Sequence, residues 1–599
     1  MGDLRDRKDI PQEYKWDLGS LYENLEAWES DFVKAGSLFE EIKSMKGAVL
    51  ESAENLLALI NVLLDAGRIV GSLATYAKMR QDENTNDSEF QALYSRAESF
   101  AVKFSEVSSF FVPEIMSGNP DDIEMFLKEK EELKLYKQYM DDILRNRPHT
   151  LSDEAEEILA QAGEVVAAPQ NIFGMLSGAD LKFPTIKGDD GEDVTLTHGS
   201  FIPCMMSKNR DVRKEAFKKY YSVFNDHKNT FGALVAAEVK KNIFNSKARK
   251  FGSAREAALF VNNVPVNVYD NLIDAVNENL PAMHKYIQLR KKVLGVEELH
   301  PYDVYVPLLK DVDMKVPYED AKGIVLESLK PLGNGYTSTV ENSYTDGWID
   351  VYENVGKRSG AYSWGTYDSK PYILLNYHDK LDDMFTLTHE MGHSMHSDYS
   401  KKNQPYVYGN YSIFVAEVAS TTNEALLNHH LLETVKDKGE KLYILNHYLE
   451  QFRGTIFRQT MFAEYERDIH AMAENGEALT AEVLCAHYRK LNEKYFGKEL
   501  VIDSELDLEW AKIPHFYYNF YVFQYATGFA SAIALSQKII NEGEQAVKDY
   551  IGFLSAGCSD YPIEVLKKAG VDMTTSEPVD NALKLFGELV DEMEKLLEV

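Results

Sequence analysis

Apolar residues recur every three to four positions along most of this chain, and that spacing restricts the possible folds more than any other feature. Leu56, Ile60 and Leu63 show it near the N-terminus, and it returns at about 210–247 and through 441–472. Such spacing is typical of amphipathic α-helices. The sequence therefore predicts a mainly α protein, with one long helix at 210–247.

Short β-like runs interrupt this pattern between residues 300 and 377. They contain β-branched and aromatic residues and are separated by turn residues, which favours strands. We predict a small β-sheet inside a helical protein, and a separate hairpin that turns at Gly188–Gly191. The predicted strands of the sheet lie at Asp303–Val306, Trp348–Tyr352, Ala361–Trp364 and Tyr372–Leu375.

Composition excludes several classes of protein. The 599 residues include 64 Lys and Arg against 96 Asp and Glu, a net charge of -32. A surface this acidic repels nucleic-acid backbones and anionic membranes, so we expect neither as a partner. Three distant cysteines suggest neither a disulfide framework nor a cysteine zinc site. Residues Met1–Asp6 lack an apolar signal core, and no apolar run reaches membrane-spanning length, so we expect a cytoplasmic protein.

The segment around residue 390 carries the chemistry. His389 and His393 occupy positions i and i+4 of a predicted helix that Asp382 or Asp383 can cap. At this spacing both imidazoles share one helix face and can reach one tetrahedral Zn²⁺. Glu390 can reach a water on the metal, which is the general-base position of a metallopeptidase. The same short pattern also occurs in helices that bind no metal.

Zinc needs a third protein ligand, and His396 is a poor one. A metzincin would continue with glycine and histidine where this chain has His396 and Tyr399, so that class is excluded. At about 1.5 Å per residue, His396 lies about 10.5 Å along the helix from His389. All three histidines cannot bind one ion, and we assign His396 to supporting a ligand or to packing beside the site.

Glu417 is the better candidate for the third ligand. It lies in an apolar stretch, where an unpaired carboxylate is costly and a metal would compensate. Glu424 follows seven residues later on the same helical face. It could accept a hydrogen bond from a ligand imidazole, and a buried salt bridge is the alternative.

Residues 513–528 are dense in aromatic side chains. His515, Tyr518, Tyr521 and Tyr525 recur at a spacing that would place their polar tips on one helical stripe. Imidazole and phenol donors could stabilise the oxyanion that develops during peptide hydrolysis. Core packing is the alternative, and the pattern does not distinguish among the three tyrosines.

Together these segments resemble the oligoendopeptidase F family, within the thimet-oligopeptidase-like zinc metallopeptidases. The resemblance runs nearly end to end and includes the Glu417 helix. The other matching segments are Ile10–Leu18, Pro371–Tyr377, His389–His396, Thr455–Glu464, Ile513–Gly528 and Ser559–Leu566.

The resemblance implies a large, helical, two-lobed zincin-type metallopeptidase with a small β-sheet near the active site. It also implies a deep central channel that admits short unstructured peptides and excludes folded proteins. One Zn²⁺ per chain would be held by His389, His393 and Glu417, with Glu390 as the base and His515 and its following tyrosines as a catalytic segment. We place an N-terminal helical domain at 1–200 and the catalytic domain at 201–599.

We therefore predict a zinc-dependent endopeptidase that hydrolyses internal bonds of short oligopeptides, with a zinc-activated water and Glu390 as general base. Short peptides are the expected partners, and no other cofactor is expected. One alternative is a helical peptide-binding or scaffolding protein with a degenerate metal site, but the complete ligand set and base argue against it. An aminopeptidase or carboxypeptidase would need a charged group that anchors a peptide terminus, and the sequence reveals none.

Overall fold

The structure is a computed structural model of the chain, and it describes residues 4–309 and 314–598. Residues Met1–Asp3, which open the segment in which we found no signal core, lie outside the described residues.

Helices dominate the described chain, so the predicted mainly α architecture is confirmed. Several helices begin after a polar residue whose side chain accepts a backbone N–H, as Asn24, Ser52 and Asp87 do. The α-helices are α1 (Leu25–Ser44), α2 (Ala53–Glu83), α3 (Ser88–Ser108), α4 (Phe111–Ser117), α5 (Pro120–Glu129), α6 (Lys137–Leu144), α7 (Asp153–Gln161), α8 (Gly163–Val166), α9 (Ala168–Met175), α10 (His198–Met205), α11 (Arg210–Asp226), α12 (Lys228–Ala248), α13 (Ala254–Phe260), α14 (Val266–Glu278), α15 (Leu280–Leu294), α16 (Tyr318–Ser328), α17 (Asn334–Ser343), α18 (Leu381–Asn403), α19 (Ile413–Thr434), α20 (Lys438–Phe452), α21 (Arg458–Glu474), α22 (Ala481–Phe496), α23 (Phe523–Glu542), α24 (Glu544–Leu554), α25 (Pro562–Lys568) and α26 (Glu577–Leu597).

Short strands form two small sheets. β1 (Thr185–Lys187) and β2 (Asp193–Thr195) pair antiparallel across the predicted turn. β3 (Ile349–Asp350), β4 (Tyr362–Trp364) and β5 (Tyr372–Leu374) form a second sheet in the order β3–β5–β4. β5 runs parallel to β3 and antiparallel to β4. The central strand β5 is buried, and β4 lies at an edge of the sheet.

The chain packs into two compact units, and each unit is built from three segments. The first unit comprises Met1–Pro148, Asp313–His430 and Leu535–Val571, and the second comprises His149–Val312, Leu431–Ala534 and Asp572–Val599. This division does not coincide with the domain boundary that we placed at residue 200. Contacts between residues far apart in the sequence define a compact unit, and local periodicity does not reveal them.

The N-terminal helices and the second sheet share one core in the first unit. The Trp28 indole N–H donates to the carbonyl of Leu73 (3.1 Å), which ties α1 to α2. Phe39 of α1 stacks on Phe100 of α3, with ring centroids 4.7 Å apart. Tyr372 of β5 is buried in the same cluster. The N-terminal helices therefore support the sheet that precedes α18.

In the second unit, α12 packs against α21 and α22, and the segment after α22 lies against this group. Glu509 is buried and forms an ion pair with Arg458 of α21 (2.7 Å). Phe173 of α9 stacks on Tyr517 (4.4 Å between centroids). These contacts anchor the chain on both sides of His515.

One described helix, α2, is long and apolar enough to cross a membrane by length and composition, although we expected no such segment. The mean hydropathy of its most apolar 18-residue window is 1.7, and 44% of that window is buried. Leu56, Ile60 and Leu73 of α2 belong to the core of the first unit. Packing against α1 and α3 therefore accounts for the apolar residues of α2.

Two local predictions were wrong. The helix predicted at 210–247 is two helices, because α11 ends at Asp226 and α12 begins at Lys228. Asp303–Val306 is no strand, since Asp303 closes a short 3-10 helix. The buried Asp303 carboxylate accepts a hydrogen bond from Arg213 (2.7 Å), and such long-range contacts override local β propensity.

Candidate metal centre and active site

Four of the predicted site residues (His389, Glu390, His393 and His396) lie on α18, whose first turn is fixed by a side-chain cap. The Asp383 carboxylate accepts hydrogen bonds from the backbone N–H groups of Lys380 (3.0 Å) and His378 (2.9 Å). Asp383 therefore caps the helix from its third position, and Lys380 is the N-cap residue. Farther along, His389 and His393 share one face of the helix, with ring centroids 4.8 Å apart.

Glu417 comes from α19, which approaches α18 with almost no space between the two backbones. A Cβ atom at Gly392 would lie 2.5 Å from the Cα atom of Ser420 and 2.7 Å from the carbonyl oxygen of Ala419. A side chain tolerates neither distance, so the approach requires glycine. The sequence analysis missed this residue, because a glycine inside a helix gives no chemical signal.

The three predicted ligands converge. Glu417 Oε2 lies 3.2 Å from His389 Nε2 and 3.4 Å from His393 Nε2. One ligand atom from each residue lies within 4.8 Å of the other two. Ligands bonded to a tetrahedral Zn²⁺ at about 2.0–2.1 Å lie about 3.3 Å from one another. The donor set and its spacing therefore fit a catalytic zinc site with three protein ligands.

Glu424 fixes the tautomer of His389. It follows Glu417 on α19, and its Oε1 accepts a hydrogen bond from His389 Nδ1. With its proton on Nδ1, the imidazole presents the Nε2 lone pair to a metal. The sequence left a hydrogen bond or a salt bridge open for Glu424, and its contact with the candidate ligand His389 fits both, since the pair is also an ion pair when the imidazole is protonated.

Carboxylates make this cluster attractive to a cation. Burial would lower the pKa of His389, but hydrogen bonds to Glu417 and Glu424 raise it well above its usual value. Burial would raise the pKa of Glu417, but hydrogen bonds from His389 and His393 lower it far below its usual range. Both shifts show that positive charge is stabilised between these side chains.

Glu390 lies beside the ligands and is buried, with 7% of its surface exposed. Burial raises the pKa of its carboxyl group, and the neighbouring charges of His389 and His393 partly offset this effect. A hydrogen bond from the Ser363 backbone also opposes the rise. Ser363 belongs to β4, and its hydroxyl bonds to that of Ser394 on α18 (2.8 Å). An edge strand therefore lies against the helix that carries the candidate base.

His396 lies outside the ligand cluster. Its imidazole is buried and stacks on Tyr411, with ring centroids 3.6 Å apart. Burial lowers the pKa of His396 to about 3, which keeps the ring neutral. Its Nδ1 has no hydrogen-bond partner in the part of the chain that the structure describes. His396 therefore packs beside the site, and the predicted support of a ligand is not observed.

The helical stripe predicted for His515–Tyr525 is wrong in its backbone. A short 3-10 helix spans Pro514–Tyr517, and α23 begins only at Phe523. Between them, Asn519 and Phe520 adopt positive φ angles of 48° and 57°. An α-helix cannot pass through two left-handed residues, and apolar spacing gives no sign of such a turn.

The four polar side chains of this segment come together nevertheless. The His515 ring centroid lies 5.5 Å from that of Tyr518, 6.2 Å from Tyr521 and 5.9 Å from Tyr525. Tyr525 Oη lies 3.5 Å from His515 Nε2. Tyr518 is 46% exposed, so its polar tip is accessible. This cluster belongs to the second compact unit, and the candidate metal ligands belong to the first.

The fold and the candidate metal centre together are those of a helical metallopeptidase, and comparisons with known proteins agree. The model of Peptidase family M3 matches residues 204–585, and that of Oligopeptidase F matches residues 114–183. Oligopeptidase PepF of Bacillus subtilis (strain 168) is 50% identical over 594 residues, which cover 99% of this chain and 89% of that protein. Group B oligopeptidase PepB of Streptococcus agalactiae is 44% identical, with 99% and 98% covered.

Solved structures agree as well. The crystal structure of oligoendopeptidase-F from Enterococcus faecium matches with a TM-score of 0.74 and 41% identity, and covers 96% of this chain and 99% of that one. A candidate peptidase from Chlamydophila abortus matches with a TM-score of 0.93 and 36% identity, and covers 99% and 100%. The chain belongs to peptidase family M3. It is a metallopeptidase that hydrolyses peptides, and the resemblance noted in its sequence is confirmed.

Proposed function

We propose that the chain is a zinc-dependent endopeptidase that cleaves short, unstructured oligopeptides. The observation that carries this proposal is the convergence of His389, His393 and Glu417 within 4.8 Å, with Glu390 on the same helix as the two histidines. When bound there, Zn²⁺ would polarise the scissile carbonyl group and acidify a water molecule.

Glu390 is the proposed general base. The carboxylate accepts a proton from the attacking water and then gives that proton to the leaving amine, so one group serves both halves of the reaction. Support for this role comes from its place directly after the candidate ligand His389 on α18 and from its hydrogen bond with the Ser363 backbone of β4.

We propose that β4 binds the peptide backbone. β4 pairs with β5 on one side, and no other described strand pairs with its outer edge. An extended peptide can add to such an edge through main-chain hydrogen bonds. Main-chain pairing reads little sequence, so the proposal includes broad side-chain specificity, with selection by the length and flexibility of the peptide.

The segment around His515 is proposed to stabilise the transition state. His515, Tyr518, Tyr521 and Tyr525 form one cluster of N–H and O–H donors. Such donors stabilise the negative charge that develops on the carbonyl oxygen.

We place the enzyme in the reducing cytoplasm. Support comes from Cys204, Cys485 and Cys558, all of which are free cysteines. Proteins of oxidising compartments commonly pair such residues in disulfides.

Two measurements test the proposed function. Metal analysis should find one zinc ion per chain in the wild type and little in Glu417→Ala, while His396→Ala keeps its zinc. If Glu417→Ala retained full zinc and His396→Ala lost it, the third ligand would be wrong.

The second measurement maps the cleavage of a short peptide that is blocked at both ends. An endopeptidase cuts it at internal bonds, whereas an aminopeptidase or carboxypeptidase leaves it intact. Efficient cleavage within the core of a native folded protein would contradict the proposed substrate class.

A further inference from the structure

The turn that joins the two halves of the His515 segment has a strained backbone. Asn519 and Phe520 both lie in the left-handed region, with φ angles of 48° and 57°. Asparagine visits this region more readily than most residues, but a bulky residue such as phenylalanine is an outlier there. Strain of this kind persists only where the surrounding structure imposes it, and it is concentrated at functional sites.

Phe520 is fixed at both its backbone and its ring. The Phe520 N–H donates a hydrogen bond of 2.7 Å to Glu466 Oε1. The ring is buried and packs against His470 of α21 and Tyr269 of α14, at centroid distances of 4.5 Å and 5.8 Å. Glu466 is therefore the side chain that meets the backbone of the strained turn.

Glu466 lies in an unusual place for a glutamate. It is fully buried on α21, and no described Lys or Arg forms an ion pair with it. Glu238 of α12 interacts electrostatically with Glu466, and it is also fully buried and contacts Lys241 Nζ (2.5 Å). Burial raises the pKa of Glu466 to about 8, while the hydrogen bond from the Phe520 backbone opposes this rise and the charge of Glu238 adds to it. At neutral pH the carboxyl group is therefore mainly protonated.

The strained turn brings the polar side chains of the segment together. His515 and Tyr518 precede it, and Tyr521 and Tyr525 follow it. Across the turn, the ring of His515 stacks on that of Tyr521, with centroids 6.2 Å apart and planes within 16°. A change in the turn would move His515 and Tyr518 away from Tyr521 and Tyr525.

We propose that Glu466 is a positioning residue for the peptidase reaction: by accepting the Phe520 N–H, it fixes the turn that brings His515 and Tyr518 together with Tyr521 and Tyr525. The inference deepens the proposed function and rests on it, because it assumes that this cluster contacts the substrate. Glu466 itself touches no reacting atom and acts only through the loop.

A neutral carboxyl group and a carboxamide offer the same acceptor oxygen to the Phe520 N–H. Glu466→Gln should therefore keep the turn, whereas Glu466→Leu fills the space and removes the acceptor. Glu464 provides a matched control, because it is a buried glutamate two residues earlier on α21 whose described hydrogen bonds go to groups outside the turn. Its carboxylate accepts hydrogen bonds from Tyr495 Oη (2.9 Å) and Lys494 Nζ (2.8 Å) instead.

The experiment compares wild type, Glu466→Gln, Glu466→Leu and Glu464→Leu as full-length, zinc-loaded enzymes. For each we would measure kcat, KM, zinc content and hydrogen exchange in the peptide that covers residues 514–523. Displacing catalytic groups by about 1 Å costs about 10²-fold in rate. Glu466→Leu should lower kcat by about that factor with KM and zinc content unchanged, and should speed exchange in 514–523.

Glu466→Gln should have the same kcat as wild type, and hydrogen exchange at 514–523 should remain as slow as in wild type. Glu464→Leu should lower the melting temperature without changing kcat or exchange at 514–523. If Glu466→Leu does not fold, Glu466→Asp replaces it, since the shorter side chain keeps the polar group and withdraws it from the Phe520 N–H.

Unchanged exchange at 514–523 in Glu466→Leu would overturn the proposal, as would an inactive, zinc-replete Glu466→Gln. Faster exchange with unchanged kcat would also overturn it, and His515→Ala then locates the failure. If His515→Ala lowers kcat, only the role of Glu466 is wrong. If His515→Ala is also silent, the proposed role of the whole segment has failed.

Discussion

Two regions of the molecule organise polar side chains in opposite ways: helices α18 and α19, which carry the candidate metal ligands, and the segment around His515. His389 and His393 lie on one regular helix, α18, so their separation of four residues in the sequence sets the distance between their rings. Around His515 the side chains converge through a left-handed turn whose backbone is bound by a distant glutamate. The spacing of the two histidines is therefore specified locally, whereas the His515 cluster is specified by packing.

This difference has a practical meaning for function. Two side chains on one regular helix keep their spacing as long as that helix keeps its register. A site on a strained turn depends on every contact that keeps the turn in place. The two regions should therefore respond differently to mutation, and four predictions test this contrast.

The largest effect is expected at the regular region. Glu390→Gln should keep zinc and fold but lose about 10²–10⁴-fold in kcat, because the amide cannot accept the proton of the attacking water. Single-turnover kinetics beside metal analysis would measure both quantities on the same sample. A zinc-replete mutant with near-native kcat would show that Glu390 is not the general base. The proposed difference between the two regions would then lose its main support.

The next effect belongs to the strained region. His515→Ala and Tyr→Phe changes at Tyr518, Tyr521 and Tyr525 each remove one donor, and losing a donor to an oxyanion costs about 10²–10³-fold in kcat. At least one tyrosine variant should show this loss, with zinc content and melting temperature retained. Four fully active variants would show that the cluster only packs.

A smaller effect is expected for Glu424, which contacts the candidate ligand His389 and lies outside the proposed ligand set. Removing such a partner typically costs about 10–100-fold in metal affinity. Glu424→Ala should therefore lose zinc to a competing chelator more readily than wild type, while Glu417→Ala holds little zinc at any chelator concentration. Equal affinities in Glu424→Ala and wild type would show that α18 alone orients His389.

The same difference between local and long-range contacts explains which features the sequence predicted. The spacing of His389 and His393 and the mainly α fold depend on periodicity within single elements, so both were accessible before the structure. The turn at Asn519, the approach of α19 at Gly392 and the stacking of His396 on Tyr411 depend on partners far apart in the chain. The two compact units depend on such contacts throughout, and no local pattern encodes them.

The smallest effect concerns stability and applies only in acid. His470, which packs under the strained turn, is buried, and burial lowers its pKa to about 4. Because the folded state resists protonation, the unfolded state binds more protons below about pH 6.5. The contribution of neutral His470 to the free energy of unfolding is complete above that pH and is lost as the pH falls toward 4.

Since one pKa unit corresponds to about 1.4 kcal/mol, the free energy of unfolding should fall by about 3 kcal/mol over this pH range. Urea unfolding of wild type and His470→Gln from pH 7 to pH 4 would measure it, and the variant should show a shallower decline. Parallel curves would mean that other groups cause the acid sensitivity.

The absence of a side chain at Gly392 has a consequence for how relatives of this enzyme should be compared. The distance from the histidines to Glu417 is set where two backbones meet at residue 392, and even a methyl group there would lie 2.5 Å from a neighbouring Cα atom. A protein that kept both histidines and both glutamates but carried a larger residue at this position would retain every reactive group. Its helices would stand too far apart for those groups to share an ion, so a survey of functional groups alone would count an inert protein as an enzyme.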